Sequence, residues 1–178
     1  MFDVDEFVEE CRGALREGEP RLAVRDLLER TVSRGDELER ALPARRGELT
    51  PLHTSPELTV LKVIWAPGMS IHPHDHRMWA AIGIYRGRED NTLFRRSGDE
   101  IVRSGSKEVD ASDVILLGDD TVHAVENPLA ECTGAIHVYG GDFFNREMSQ
   151  WDPATLEPQR EITPPARFFE EANERLGL

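Results

Sequence analysis

The chain is short of several things, and each shortage excludes a class of protein. It has only two cysteines, Cys11 and Cys132, in unrelated segments. That excludes a disulfide framework and fits a reducing compartment, so a cytoplasmic location is expected. No apolar run approaches the ~20 residues of a membrane span, and no signal-peptide pattern is expected at the start. Basic residues are in deficit: 21 Lys and Arg stand against 34 Asp and Glu, a formal net charge of −13. Nucleic acid and anionic membrane surfaces are therefore poor partners. An anionic substrate must instead find a local cationic spot, such as a metal ion. There is no internal repeat and no low-complexity segment. A length of 178 residues suits one domain with a real core, or a β domain with helical attachments.

What the chain does have is histidine, all in one stretch. The six histidines lie between His53 and His137. The densest group is His74-Asp75-His76, and His123 follows 47 residues later in the run Asp120-Thr-Val-His-Ala-Val-Glu-Asn127. On an extended strand, residues two apart face the same side. His74 and His76 can therefore reach one metal ion together, with Asp75 turned away. His72 shares that face, so His72 with His74 is an alternative pair that would put His76 behind the ligands. A metal site inside a β domain is the expectation.

The chain reads in three parts. Residues 1–46 are helical. Phe7, Val8, Cys11 and Leu15 fall on one face, and Asp3 with Glu6 resembles a capping box. Pro20 opens a second helix carrying Leu22, Leu27 and Leu28. Gly35 breaks it before Leu38 and Leu42, and 43–47 is a linker. Residues 47–145 switch to short strands between turns, at 58–66, 71–76, 79–85, 91–96, 101–109, 114–117, 122–125 and 133–139. Many short strands at regular intervals indicate a mainly β double-sheet jelly roll or barrel with N-terminal α-helices. Residues 146–178 form a mostly irregular tail, with a closing helix placed at 165–176.

Within the β part the spacing follows the two cupin motifs. His74-x-His76 with Gly87 eleven residues on matches the first motif, and His123 with Asn127 matches the end of the second. The fold this implies is the cupin double-stranded β-helix. The first motif normally carries a metal-binding Glu seven residues before the glycine, where this chain has Ala80. The chain thus resembles a cupin that has lost its carboxylate ligand. Further segments resemble the cysteine dioxygenase-like thiol dioxygenases. They are Trp65, nine residues before His74; Gly87 through Thr92-Leu93-Phe94; His123-Ala-Val-Glu-Asn127; and His137-Val-Tyr139. The resemblance covers about residues 50–150. It implies ferrous iron, Fe(2+), on three histidines (His74, His76 and His123), with His137 and Tyr139 as catalytic residues from a Ser-x-His-x-Tyr set. A small-molecule thiol and O2 are the implied substrates, and the protein is expected as a monomer or homodimer.

Three departures from that family bear on the substrate. Ala80 stands where animal cysteine dioxygenases have the cysteine that cross-links to the tyrosine. Ala135 replaces the serine of the Ser-x-His-x-Tyr set. The early strand that carries the family's carboxylate-binding arginine reads Leu49-Thr-Pro-Leu-His53-Thr, with no arginine. A thiol resembling 3-mercaptopropionate is therefore expected ahead of cysteine. Arg77, Arg88 and Arg95 are the candidates near the motif for holding its carboxylate.

The chemistry agrees with the resemblance. Three neutral imidazoles leave the full 2+ charge on the ion, which favours an anionic ligand, and a thiolate is a soft anion suited to it. Three ligands on one side also leave positions open, unlike a closed structural zinc site. Trp65, Trp79 and Phe94 are expected in the core, Cys132 as a small core residue, and His53 at the rim or against substrate. Two other readings stand beside the dioxygenase: a different metal-dependent cupin enzyme (an isomerase or carbon-oxidising dioxygenase), and a non-catalytic metal- or ligand-binding cupin.

Overall fold

The computed structural model describes all 178 residues. Three helices lead: α1 (Val4–Ala14), α2 (Pro20–Val32) and α3 (Gly35–Ala41). The Asp3 carboxylate accepts from the Glu6 amide at 3.0 Å and caps α1, and Pro20 opens α2 at a position whose N–H no helix would use. Gly35 does not merely break the second helix; it begins the third.

Nine strands follow: β1 (Glu48–Thr54), β2 (Thr59–Trp65), β3 (Ser70–Asp75), β4 (Ala80–Arg86), β5 (Arg88–Ser97), β6 (Glu100–Asp110), β7 (Val114–Leu117), β8 (Val122–Glu126) and β9 (Thr133–Tyr139). They form two antiparallel sheets, in the orders β1-β2-β9-β4-β7 and β3-β8-β5-β6. Strands close in sequence alternate between the sheets, which is how a double-stranded β-helix closes. Eight of the nine correspond to the strand spans of the sequence with shifts at some ends, and β1 covers the early strand at 49–54 that stood outside those spans. The β5–β6 hairpin extends to Ser97 and Glu100, which pair on either side of the turn at Gly98-Asp99. The last helix, α4 (Pro165–Leu176), covers the span expected for it.

The inner strands β2, β9 and β4 of the five-stranded sheet are buried on both faces, and the period of two along each strand says why. On β2, Leu61, Val63 and Trp65 point into the barrel, while Val60 and Ile64 point at the helices. Strand β9 divides in the same way. Ala135 and Tyr139 join the barrel core, and Ile136 and Val138 join the helical layer. Full burial of both faces explains why these strands read as nearly continuous apolar runs. Gly83 on β4 sets the helix distance, since a Cβ there would lie 2.7 Å from Leu28 Cγ and 2.8 Å from Val32 Cγ1.

Two motif residues turn out to shape the barrel. Gly87 has φ +76°, and its missing Cβ would collide with Thr133 Oγ1, so both conformation and space demand glycine. Asn127 is fully buried. Its amide donates to the carbonyls of Trp65, Ala66 and Glu131 at 2.9–3.1 Å, while its oxygen accepts from the Leu129 amide and the Thr133 hydroxyl. It ties the end of β2 to the loop that leads into β9.

The segment after β9 is irregular but ordered by contacts. Asp75, turned out of the barrel between its two histidine neighbours, accepts from the Ser149 amide at 2.7 Å and from Arg96 at 2.9 Å. Gln150 bridges to His74 as a short extra strand, and the Trp151 amide donates to the Pro73 carbonyl at 2.9 Å. This strap carries Arg146, Met148 and Gln150 to the cavity between the sheets, so the tail helps to build the interior.

Candidate metal centre and cavity

β3 and β8 are neighbours, and His74 pairs directly with His123 across them. His76 follows one residue past the end of β3. All three side chains are buried and their Nε2 atoms converge: His74 to His76 at 3.1 Å, and His123 to His76 at 3.4 Å. Two nitrogens, each about 2.1 Å from a shared metal at tetrahedral or octahedral angles, lie about 3.0–3.4 Å apart. The observed spacing fits a common ion.

The outer nitrogens agree. His74 Nδ1 lies 2.8 Å from the His72 carbonyl, and His123 Nδ1 lies 2.8 Å from Asn91 Oδ1. Both partners accept, so each Nδ1 carries the proton and each Nε2 is bare, as metal ligation requires. No other group of three His, Cys, Asp or Glu side chains comes together in this way. His72 stays out of the cluster: its ring packs edge-on against Phe168, and it contributes only its carbonyl. Asn91 went unnoticed in the sequence. Its position on the strand after Gly87 carried no signal, because a buried asparagine and an exposed one look alike in a sequence.

Burial makes these imidazoles resist protonation. His74 is lowered to about 4, chiefly by desolvation, and desolvation together with the neighbouring histidines takes His76 and His123 well below the ordinary value. An unfolded histidine titrates at about 6.5. Between these values the unfolded chain binds the extra proton, so the metal-free protein is fully stable above about pH 6.5 and weakens as pH falls toward 4. At the lower end His74 alone accounts for roughly 3 kcal/mol. Denaturant midpoints measured from pH 7 down to 5 are expected to fall, and His74→Gln should flatten part of that slope. Equal slopes in the two proteins would clear His74 as the source.

A small cavity between the sheets is lined by the three histidines. Leu49, Val63, Trp65 and Ile71 make one side apolar, and His137, Tyr139 and Arg146 bring the polar groups. The Tyr139 ring stands edge-on to His76 with centroids 5.1 Å apart, and its hydroxyl lies 2.9 Å from His137 Nδ1. Ala80 pairs directly with Tyr139 across β4 and β9, so the tyrosine has no thiol beside it to form a thioether.

The three arginines singled out in the sequence lie elsewhere. Arg77 is exposed and bonded to Glu147 and Ser149, Arg88 is held by Asp90 and Glu108, and Arg95 is exposed. The cation of the cavity is Arg146. Its guanidinium lies 3.9 Å from the Phe143 ring centroid and donates one N–H to the Phe143 carbonyl. Nε and Nη2 are buried without partners. Desolvation lowers its pKa, yet an arginine at such a site stays charged. Arg146 sits on a segment with no periodicity, so nothing local marked it. Leu49 lines the cavity from the strand where the arginine was absent. His53 is settled away from the cavity, half-buried near Arg12 and Glu9 of α1. Trp65 is both core and cavity wall, whereas Trp79 packs with the helical layer and Phe94 with Trp151. Cys132 is half-buried and its thiol is pushed up by desolvation, which suits a packing residue.

No family model matches the chain. Among solved structures it is similar to the BH2720 protein of Bacillus halodurans, with 21% identity over 60% of this chain and 76% of that one and a TM-score of 0.50. It is also similar to an uncharacterised conserved protein with a double-stranded β-helix domain from Klebsiella pneumoniae (14% identity, 84% and 89% of the two chains, TM-score 0.49). An RmlC-like cupin family protein from Methanocaldococcus jannaschii is comparable (10%, 56% and 84%, TM-score 0.48). At these identities the likeness is one of fold. No helix is long and apolar enough to cross a membrane.

Proposed function

We propose that this protein is an iron-dependent thiol dioxygenase acting on a small thiol that carries a carboxylate. The observation that carries the reading is the pairing, in one cavity, of a three-histidine candidate metal centre without a carboxylate ligand and a buried guanidinium with two unpartnered nitrogens. Three neutral imidazoles leave the ion's charge uncompensated, and Arg146 adds a further positive charge. A substrate that brings one negative charge to each is a dianion, and a thiolate joined to a carboxylate is such a species. When bound, ferrous iron supplies a soft Lewis acid that takes the thiol as thiolate and brings dioxygen to its sulfur.

The protein's own groups do the rest. Arg146 holds the carboxylate through Nε and Nη2, and so fixes the distance between anchor and sulfur. The apolar wall from Leu49, Val63 and Ile71 admits an alkyl chain and excludes water. Tyr139 and His137 supply the hydroxyl and imidazole that handle protons beside the sulfur. The balance is R–SH plus O2 to R–SO2⁻ plus H⁺: two oxygen atoms are added to sulfur and dioxygen is the sole oxidant.

The test is oxygen uptake by iron-loaded protein with a panel of thiols. Rapid uptake with a 3-mercaptopropionate-like thiol is expected, with sulfinate as product and slower turnover of thiols lacking a carboxylate. Metal binding with no uptake from any thiol would defeat the reading in favour of a ligand-binding cupin. Uptake or turnover with a carbon acid instead would favour a different metal-dependent cupin enzyme.

A further inference from the structure

One buried charge has no part in that scheme. Glu89, on β5, is fully inaccessible to solvent, and a carboxylate there needs donors. It has two, both at Oε1. Trp65 Nε1–H donates at 2.5 Å, and His137 Nε2 lies 3.4 Å away. Oε2 is buried without a partner, so the carboxylate's interactions all fall on this one pair. An indole N–H only donates and an ionised carboxylate only accepts, which sets the direction of both bonds. The imidazole that satisfies Glu89 carries its proton on Nε2, and its Nδ1 is then bare. Tyr139 Oη lies 2.9 Å from that Nδ1 and must donate to it. What the hydroxyl has left for the cavity is its lone pairs.

We propose that Glu89 is a positioning residue that fixes His137 in the Nε2–H form and thereby makes Tyr139 a hydrogen-bond acceptor toward the cavity. The residue two before His137 on the strand is Ala135, which offers no polar group, so the constraint on the ring comes from a strand of the opposite sheet. The consequence rests on the thiol reading: an acceptor at this place meets the S–H of an entering thiol. The S–H proton passes to Tyr139 Oη while the proton already there passes to His137 Nδ1. The electron pair stays on sulfur, which becomes the thiolate, and the imidazolium so formed faces the Glu89 carboxylate.

The tautomer is read directly by 15N-histidine NMR of the metal-free protein, with His137→Gln assigning the signals. In the wild type, His137 is expected with Nε2 protonated and Nδ1 bare. Tyr139→Phe should leave that form in place, because Glu89 and not the tyrosine sets it. Glu89→Gln keeps an acceptor for Trp65 but can also turn a donor toward His137, and should release the ring to a mixture of tautomers. Iron-loaded Glu89→Gln is expected to lose about 10–100-fold in kcat, the usual cost of an outer hydrogen-bond partner, with iron content unchanged. An Nδ1–H ring in the wild type overturns the proposal, as does loss of the Nε2–H form in Tyr139→Phe or its persistence in Glu89→Gln. If the Gln variant does not fold, the first two measurements still decide. Because the tautomer is read without metal or thiol, failure of oxygen uptake would sink the thiol reading and leave this result standing.

Discussion

His123→Ala is expected to abolish turnover and to leave the protein without stoichiometric iron. His123 is one of three nitrogens converging within 3.4 Å contacts, and the two that remain cannot by themselves define a facial site. Even an outer partner such as Asn91 is worth about 10–100-fold in metal affinity, so loss of a ligand should cost more than about 100-fold. Iron content by metal analysis, at about one ion per chain in the wild type, is the measurement. The variant also strands Asn91 Oδ1, at a cost of roughly 1–3 kcal/mol. Far-UV circular dichroism should nevertheless report a folded protein, because the two large hydrophobic clusters are untouched. Full iron occupancy in folded His123→Ala would remove this histidine from the site. The same loss is expected for His74→Ala and His76→Ala.

Arg146→Met should weaken the use of carboxylate-bearing thiols and spare the others. Truncating the cationic side of a buried, charge-assisted pair costs about 2–4 kcal/mol, or roughly 30- to 1000-fold in kcat/KM. Methionine keeps much of the side chain's volume, so the cavity should hold its shape. The decisive comparison is a cycle of two enzymes with two substrates. A thiol without a carboxylate should be poor with the wild type and should change little on substitution, since it never formed the ion pair that the substitution removes. Lysine is not an adequate replacement, because it cannot reproduce the planar fork aimed from beside Phe143. Equal losses for both classes of thiol would show that Arg146 supports the cavity without reading the carboxylate.

The legible part of the protein was the part written in local period and local chemistry. The His74-x-His76 spacing placed two imidazoles on one face because a strand repeats every two residues. Strands β2, β4 and β9 could be found as apolar runs because both of their faces are covered. Asp3 and Pro20 marked helix starts through backbone groups only a few residues away. These signals need no knowledge of what lies across the barrel, so the sequence determined the double-sheet architecture, the helical layer and the three candidate ligands.

Other features depended on contacts between residues far apart in the chain. Arg146 reaches the cavity because Asp75, 71 residues earlier, holds the amide of Ser149. Glu89 meets His137 only because β5 and β9 face each other from opposite sheets. A glutamate in a sequence looks solvated until the fold buries it, and an arginine in an irregular segment points nowhere until a strap fixes it. The buried charges of Arg146 and Glu89 were therefore decided by tertiary structure, since burial and pairing are properties of the closed barrel and not of any one segment.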